Sequence, residues 1–337
     1  MDLKTDRTLD VIAMGRASVD FVPDTYGSTA TEHQYTKFLG GSPANTAVSM
    51  AQHRIRTGYI GKVGEDILGD YLIAYMGGKG IDTSHILRCG DPAVRTGLSV
   101  AERMGPNRKR SNLYRCDVAD LHMLPEEMDE AYIAQAGILL VSGASLSDSP
   151  AREAMFLAVE YARRSGVLVA FDPDYRAQSW HSELQTSVYY DLMMGLCDIL
   201  ITTREEMDVL EKAFLPGDQD DLRSAQRCFE RGVSIVLIKH GEDGSTAFTS
   251  DGRTVVQKAF PSRVISLQGA GDSYSGAFLA ELTRGADLAQ AMGYASASAA
   301  LTVSGRSCSE HMPSREMTLD FIQTCRSGRV DQWQWWE

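Results

Sequence analysis

The chain has no two cysteines in C-x-x-C spacing and none spaced as in a zinc finger. Its six cysteines (Cys89, Cys116, Cys197, Cys228, Cys308 and Cys325) therefore read as reduced, mostly buried thiols of a cytoplasmic protein. The histidines form no H-x-x-x-H pair, which argues against a transition-metal centre. No uninterrupted apolar run approaches the roughly 20 residues of a membrane span. The stretch Met1 to Asp10 is charged and lacks the apolar core of a signal peptide. A G-x-x-x-x-G-K-[ST] loop is missing, which excludes a P-loop phosphotransferase, and no G-x-G-x-x-G follows a strand, which argues against a dinucleotide-dependent dehydrogenase. Gly271-Asp272-Ser273-Tyr274-Ser275 lacks the second glycine of a nucleophile elbow, which disfavours a serine hydrolase. Basic residues are outnumbered 33 to 45, for a net charge of -12, so the chain lacks the basic balance of a nucleic-acid binder. A nucleotide ligand remains compatible, since a small cationic pocket suffices for it.

What is present is a large apolar complement. Hydrophobic residues make up 43% of 337, enough for an extensive core in an α/β domain. Leu9 to Met14 and Thr57 to Val63 read as strands, and Ser42 to Gln52 and Ile67 to Lys79 as helices. From 135 onward, short branched runs at Gly137–Val141, Val167–Phe171, Ile199–Ile201 and Ile235–Ile238 alternate with helical stretches near 150–165, 186–196 and 220–232. Alternating β and α with doubly buried strands predicts a mostly parallel central sheet flanked by helices. Segments 18–40 and 92–118 break this rhythm. The second reads as a hairpin about Gly105-Pro106-Asn107, and the two together as a small β lid inserted in a single domain over 9–325. Residues 326–337 form an aromatic tail expected to pack on the body or on a neighbouring subunit.

Polar and glycine residues follow each strand, at Gly15-Arg16, Ser142-Gly143, Asp172-Pro173-Asp174, Thr202-Thr203 and His240-Gly241. In open α/β sheets ligands bind beyond the carboxyl ends of the strands. Gly269-Ala270-Gly271-Asp272 would join this set if Arg263–Leu267 is a strand. Its glycines leave N–H groups bare at a helix mouth, a site for phosphate, and Asp272 beside them can take a proton from a hydroxyl. A tight turn with an aspartate cap fits the same residues. Gly40-Gly41-Ser42-Pro43-Ala44-Asn45 is a second glycine turn, suited to a polyol or simply to helix packing. Asp20 can accept from two hydroxyls or be an ordinary loop acid. Lys239, Gly241 and Gly244 suit a nucleotide or a plain hairpin. Glu205 and Glu206 suit hydrated Mg²⁺ or are acids favoured by a helix dipole. Arg115 and Arg176 lie near the expected cleft, and arginine is the side chain suited to bidentate carboxylate recognition.

Taken together, GGSPANTA at 40–47, GKVGEDILG at 61–69 and GAGDSYSGAF at 269–278 resemble the ribokinase-like, or PfkB, family of sugar kinases over nearly the whole chain. Within it the chain is similar to the branch serving inositol catabolism, on GRASVD at 15–20, YRCDVADL at 114–121, FDPDYRAQSW at 171–180 and SASA at 296–299. The resemblance implies a ribokinase-like fold, ATP, Mg²⁺ and a sugar-acid acceptor phosphorylated on a primary hydroxyl. It implies Asp272 as the base, with the N–H groups of Gly269, Ala270 and Gly271 around the transferring phosphoryl group. Asp20, Gly41 and Asn45 match sugar-binding positions, Glu206 the acid that organises hydrated magnesium, and Gly241 and Gly244 the nucleotide-side glycines. The arginine of the family's D-P-N-x-R pattern is Arg176, implied to hold the acceptor's carboxylate, with Arg115 beside it. Two departures stand out. Ser266-Leu267-Gln268 replaces a common Asp-Thr-Thr, which removes the acid of a monovalent-cation site, and Thr203 replaces the asparagine of N-x-x-E. A homodimer through the lid is implied by the same resemblance. Other acceptors, such as 2-keto-3-deoxygluconate or fructose, and a sugar-sensing protein without turnover are the competing readings.

Overall fold

The structure, a computed structural model, describes residues 7–104 and 109–336. In chain order the strands are β1 (Leu9–Met14), β2 (Ser18–Pro23), β3 (Tyr35–Gly40), β4 (Thr57–Gly64), β5 (Asp82–Cys89), β6 (Leu98–Arg103) and β7 (Lys109–Tyr114). They continue as β8 (Ala136–Ser142), β9 (Leu168–Asp172), β10 (Ile199–Thr203), β11 (Ile235–Lys239), β12 (Ser245–Thr249) and β13 (Thr254–Gln257). The helices are α1 (Ser42–Gln52), α2 (Ile67–Gly78), α3 (Glu130–Ile133), α4 (Ala151–Arg164) and α5 (Glu183–Met194). After them come α6 (Arg204–Glu211), α7 (Asp221–Glu230), α8 (Ala270–Thr283), α9 (Leu288–Thr302) and α10 (Arg315–Arg326).

The central sheet runs β13-β12-β11-β10-β9-β8-β1-β4-β5. From β11 to β5 every pairing is parallel, whereas β12 and β13 are an antiparallel edge. Side chains alternate across the sheet as strand geometry demands. Val11 and Ala13 of β1, with Ile138 and Leu140 of β8, pack under α1, α2, α8 and α9. Ile12 and Met14, with Leu139 and Val141, pack against α4, α5, α6 and α7 on the other face. Burial on both faces is why these strands read as continuous apolar runs.

The lid is a separate four-stranded sheet, β3-β2-β6-β7. Its core pairing is the parallel match of β2 with β6, flanked by two antiparallel partners. The expected turn at Gly105-Pro106-Asn107 and the stretch Met1–Asp6 lie outside the described residues. Residues 263–267 are not a strand. The N–H groups of Ile265 and Ser266 instead bond Val303 O at 2.8 and 3.1 Å, and Val264 and Leu267 are exposed. The Gly269 turn is therefore entered from a loop. The aromatic tail lies on the body, where Trp333 and Trp335 pack against Phe321 and Trp336 Nε1 donates to Leu301 O at 2.9 Å.

The chain leaves β1 for β4 and β5 on one side and fills the other side later with β8 to β11. Such a reversal opens a crevice at the carboxyl ends of the strands. The helices α1 and α8, more than 200 residues apart in sequence, pack closely beside that crevice. Gly276 permits it, since a Cβ there would lie 2.5 Å from Ser49 Cβ. Ser49 Oγ also donates to Ser273 O at 3.1 Å.

Candidate active site

A cleft of about 400 Å³ lies between the sheet's carboxyl edge and the lid. Strand ends supply Arg16 after β1, Asp172 on β9, Thr203 on β10 and Lys239 on β11, and the lid supplies Asp20, Ser99, Ser111 and Leu113. Helix mouths supply Gly41, Ser42 and Asn45 of α1, Glu206 of α6, and Gly269, Gly271 and Asp272 of α8. The glycine motifs at 40 and 269 thus meet in one cavity.

Asp272 is the meeting point. Ser42 Oγ donates to its Oδ1 at 2.6 Å, and Asn45 Nδ2 to its Oδ2 at 2.9 Å. Burial, reinforced by the charges of Asp174 and Asp172, raises its pKa to about 6 against the lowering by those two donors. A carboxylate so poised is ionised at neutral pH yet a better proton acceptor than an exposed aspartate. Gly269 starts α8 in the left-handed region, φ 81°, where a side chain is disfavoured. That turn aims the helix mouth, with its partial positive charge, into the cleft. A Cβ at Gly271 would lie 3.6 Å from Lys239 Nζ, so the ammonium stands against the same mouth. Burial works against the Lys239 charge, but Asp172, Glu206 and Asp272 outweigh it and hold its pKa above the ordinary value. Ala270 is not among the lining residues, and its N–H turns back to Leu267 O at 3.4 Å. Of the three N–H groups the resemblance implied, those of Gly269 and Gly271 belong to residues that line the cleft.

Glu206 lines the cleft while capping α6. Its Oε2 accepts from Thr203 N at 3.0 Å and its Oε1 from Tyr175 N at 3.1 Å. Thr203 returns the bond, which completes a capping box. Burial and the neighbouring Asp172 raise the Glu206 pKa, opposed by Lys239. Glu205 is exposed and outside the cleft. Asp172 and Asp174, to which sequence reasoning gave no role, add two more acids. Asp174 holds φ 41°, a conformation aspartate tolerates better than most residues, and accepts from Ser142 Oγ at 3.1 Å. Among the described residues no three His, Cys, Asp or Glu side chains hold a metal by themselves. The hard oxygen donors of Glu206, which lines the cleft, fit hydrated Mg²⁺ that takes its remaining ligands from phosphate and water.

Asp20 is pinned between lid and body. Ser99 Oγ donates to Oδ1 at 2.7 Å, and Gln268 Nε2 to Oδ2 at 3.0 Å. Arg176 lies at the rim, its side chain 42% exposed and its Nη2 2.6 Å from Asp174 Oδ1. Two expectations shift. Gly241 and Gly244 shape the connection between β11 and β12 and do not line the cleft. Arg115 does not line it either. Its side chain is 3% exposed, paired to Asp120 at 2.6 Å and bonded to Ala144 O at 3.0 Å and Ser147 Oγ at 3.2 Å. The cleft arginine that sequence reasoning passed over is Arg16, noted only as a residue after a strand.

A carboxylate facing a glycine cradle and a lysine, under a lid lined by hydroxyl partners, defines a phosphotransferase acting on an alcohol. The chain belongs to the pfkB family of carbohydrate kinases, whose model matches residues 8–315. It is 43% identical to a 5-dehydro-2-deoxygluconokinase of Geobacillus thermodenitrificans, over 96% of each chain. To 5-dehydro-2-deoxygluconokinase 1 of Bacillus cereus it is 42% identical, over 95% of this chain and 97% of the other. The fold is similar to that of a fructokinase with bound ATP from Xylella fastidiosa, with a TM-score of 0.85 and 22% identity, covering 94% and 99% of the two chains.

Proposed function

We propose that this chain transfers the γ-phosphoryl group of ATP to the 6-hydroxyl of 5-dehydro-2-deoxy-D-gluconate, giving the 6-phosphate and ADP. The names of the relatives support the acceptor, and the bound nucleotide of the fructokinase supports ATP. The observation that carries the chemistry is the Asp272 carboxylate, oriented by Ser42 and Asn45 at the mouth of α8.

In this reading Asp272 takes the proton as the acceptor oxygen attacks the γ-phosphorus in line. Ser42 and Asn45 fix the carboxylate so that little reorganisation is needed at the moment of transfer. The N–H groups at Gly269 and Gly271, with Lys239, stabilise the charge spread over the phosphoryl oxygens, where most of the catalysis lies. Glu206 would hold hydrated Mg²⁺, which would neutralise phosphate charge. Asp20 and Asn45 bind acceptor hydroxyls, Gly41 gives them room, and Arg176 meets the acceptor's carboxylate. The lid excludes water that would otherwise accept the phosphoryl group. A homodimer through the lid is proposed from the resemblance, and molar mass by light scattering checks it.

The direct test couples ADP release to purified protein with a panel of sugar acids and neutral ketoses. ADP release dependent on 5-dehydro-2-deoxy-D-gluconate is expected. A preference for fructose, or no acceptor-dependent release at all, rejects the assignment.

A further inference from the structure

Arg16 is only 5% exposed, yet it lines the cleft. Its Nε is buried with no hydrogen-bond partner. No hydrogen bond or ion pair ties its guanidinium to any other described residue. The two acids whose charges act most strongly on it each pair with another arginine: Asp120 Oδ2 with Arg115 at 2.6 Å, and Asp174 Oδ1 with Arg176 at 2.6 Å. Three guanidinium groups thus share two carboxylates, and Arg16 is the one left over. A buried charge without a partner is costly, and burial does hold its pKa below the ordinary arginine value. A binding site can carry that cost when a ligand anion removes it.

The position of Arg16 indicates which anion. Its carbonyl lies under the start of α1, where a Cβ at Gly41 would stand 2.2 Å from Arg16 O. It therefore belongs with Ser42 and Asn45 on the acceptor side, whereas Lys239 and Gly271 occupy the phosphoryl side. We propose that Arg16 forms the primary subsite for the acceptor's carboxylate, receiving it on its guanidinium fork, with Arg176 adding a second, rim-side contact. The fork matches a carboxylate in two parallel hydrogen bonds, which a lysine cannot supply. This inference rests on the sugar-acid reading above and names the residue that selects for acids.

The test compares wild type, Arg16→Gln and Arg16→Lys with two acceptors: 5-dehydro-2-deoxy-D-gluconate and its uncharged C1 amide. Arg16→Gln is expected to raise KM for the acid by roughly 10²-fold or more, to change the amide by less than about threefold, and to leave KM for ATP unchanged. Arg16→Lys, which keeps the charge, is expected to fall between and guards against a folding defect in the glutamine variant. Equal losses for acid and amide, or a rise in KM for ATP, would assign Arg16 to the transferring phosphoryl group and overturn the proposal. Retained preference for the acid in both variants overturns it as well. If the wild type fails to phosphorylate the acid at all, the sugar-acid reading itself falls, and the Arg16 subsite with it.

Discussion

Replacing Asp272 with asparagine should slow turnover sharply and stabilise the protein, and the two effects have one cause. The carboxyl pKa is raised from the ordinary 3.8 to about 6. Below pH 4 folded and unfolded chains both carry the proton, and the site costs nothing. Between pH 4 and 6 the unfolded chain ionises first, so stability falls with rising pH, and above 6 the full cost persists. At about 1.4 kcal/mol per pH unit that cost is about 3 kcal/mol. Screening from the open cleft trims it to about 2 kcal/mol. The amide removes the charge and keeps the geometry: Asn45 goes on donating to its oxygen, while Ser42 Oγ accepts from its nitrogen. Unfolding entropy near 2.1 cal/mol/K per residue converts the gain to about 3 °C in Tm. Calorimetry at pH 8 and pH 4.5, with turnover measured on the same samples, is the assay. A higher Tm for Asp272→Asn at pH 8, shrinking toward pH 4.5, is expected, with kcat lower by about 10²-fold or more. A variant that is less stable at pH 8, or that keeps near-wild-type kcat, refutes the reasoning.

The same pKa places the acid limb of wild-type kcat/KM near pH 6, activity falling as pH drops through it; a flat profile from pH 5 to 8 would show that another group takes the proton. Arg176→Ala should raise KM for sugar acids by about tenfold while sparing neutral sugars, as suits an exposed contact shared with Asp174; steady-state kinetics on both acceptor types reads this out. Glu206→Gln keeps one carbonyl oxygen for the α6 cap but loses the charge, so the Mg²⁺ concentration for half-maximal activity should rise several-fold, seen in a metal titration at fixed ATP. Gly269→Ala meets both a left-handed backbone and Cys308 Cβ at 2.6 Å; a loss of about 2 kcal/mol or more in denaturant melts, together with activity, is expected.

The parallel sheet was legible because its strands are buried on both faces and separated by helices of ordinary length. Helix α1 begins and ends where the small-residue run from Ser42 to Gln52 does. The edges were harder. β13 alternates exposed and half-buried positions, β5 buries only Ile86 and Cys89, and β12 is five residues long, so none carries a continuous apolar signature. Residues 263–267 carry branched apolar side chains, yet the chain there is held by the end of α9 rather than by a strand. At the site, glycine motifs announced Asp272 and the α1 turn, because only special backbones need such residues. The partners were invisible: nothing local distinguishes Arg115, saturated by Asp120, from Arg16, left unsatisfied in the cleft. That difference is long-range and appears only when the elements are packed.

The most direct measurement is a crystal structure with 5-dehydro-2-deoxy-D-gluconate and a non-hydrolysable ATP analogue. The acceptor's 6-hydroxyl is expected within hydrogen-bond distance of the Asp272 carboxylate, and the terminal phosphate against the N–H groups at Gly269 and Gly271. A terminal phosphate remote from that helix mouth, with a different carboxylate on the acceptor oxygen, would contradict the role assigned to Asp272.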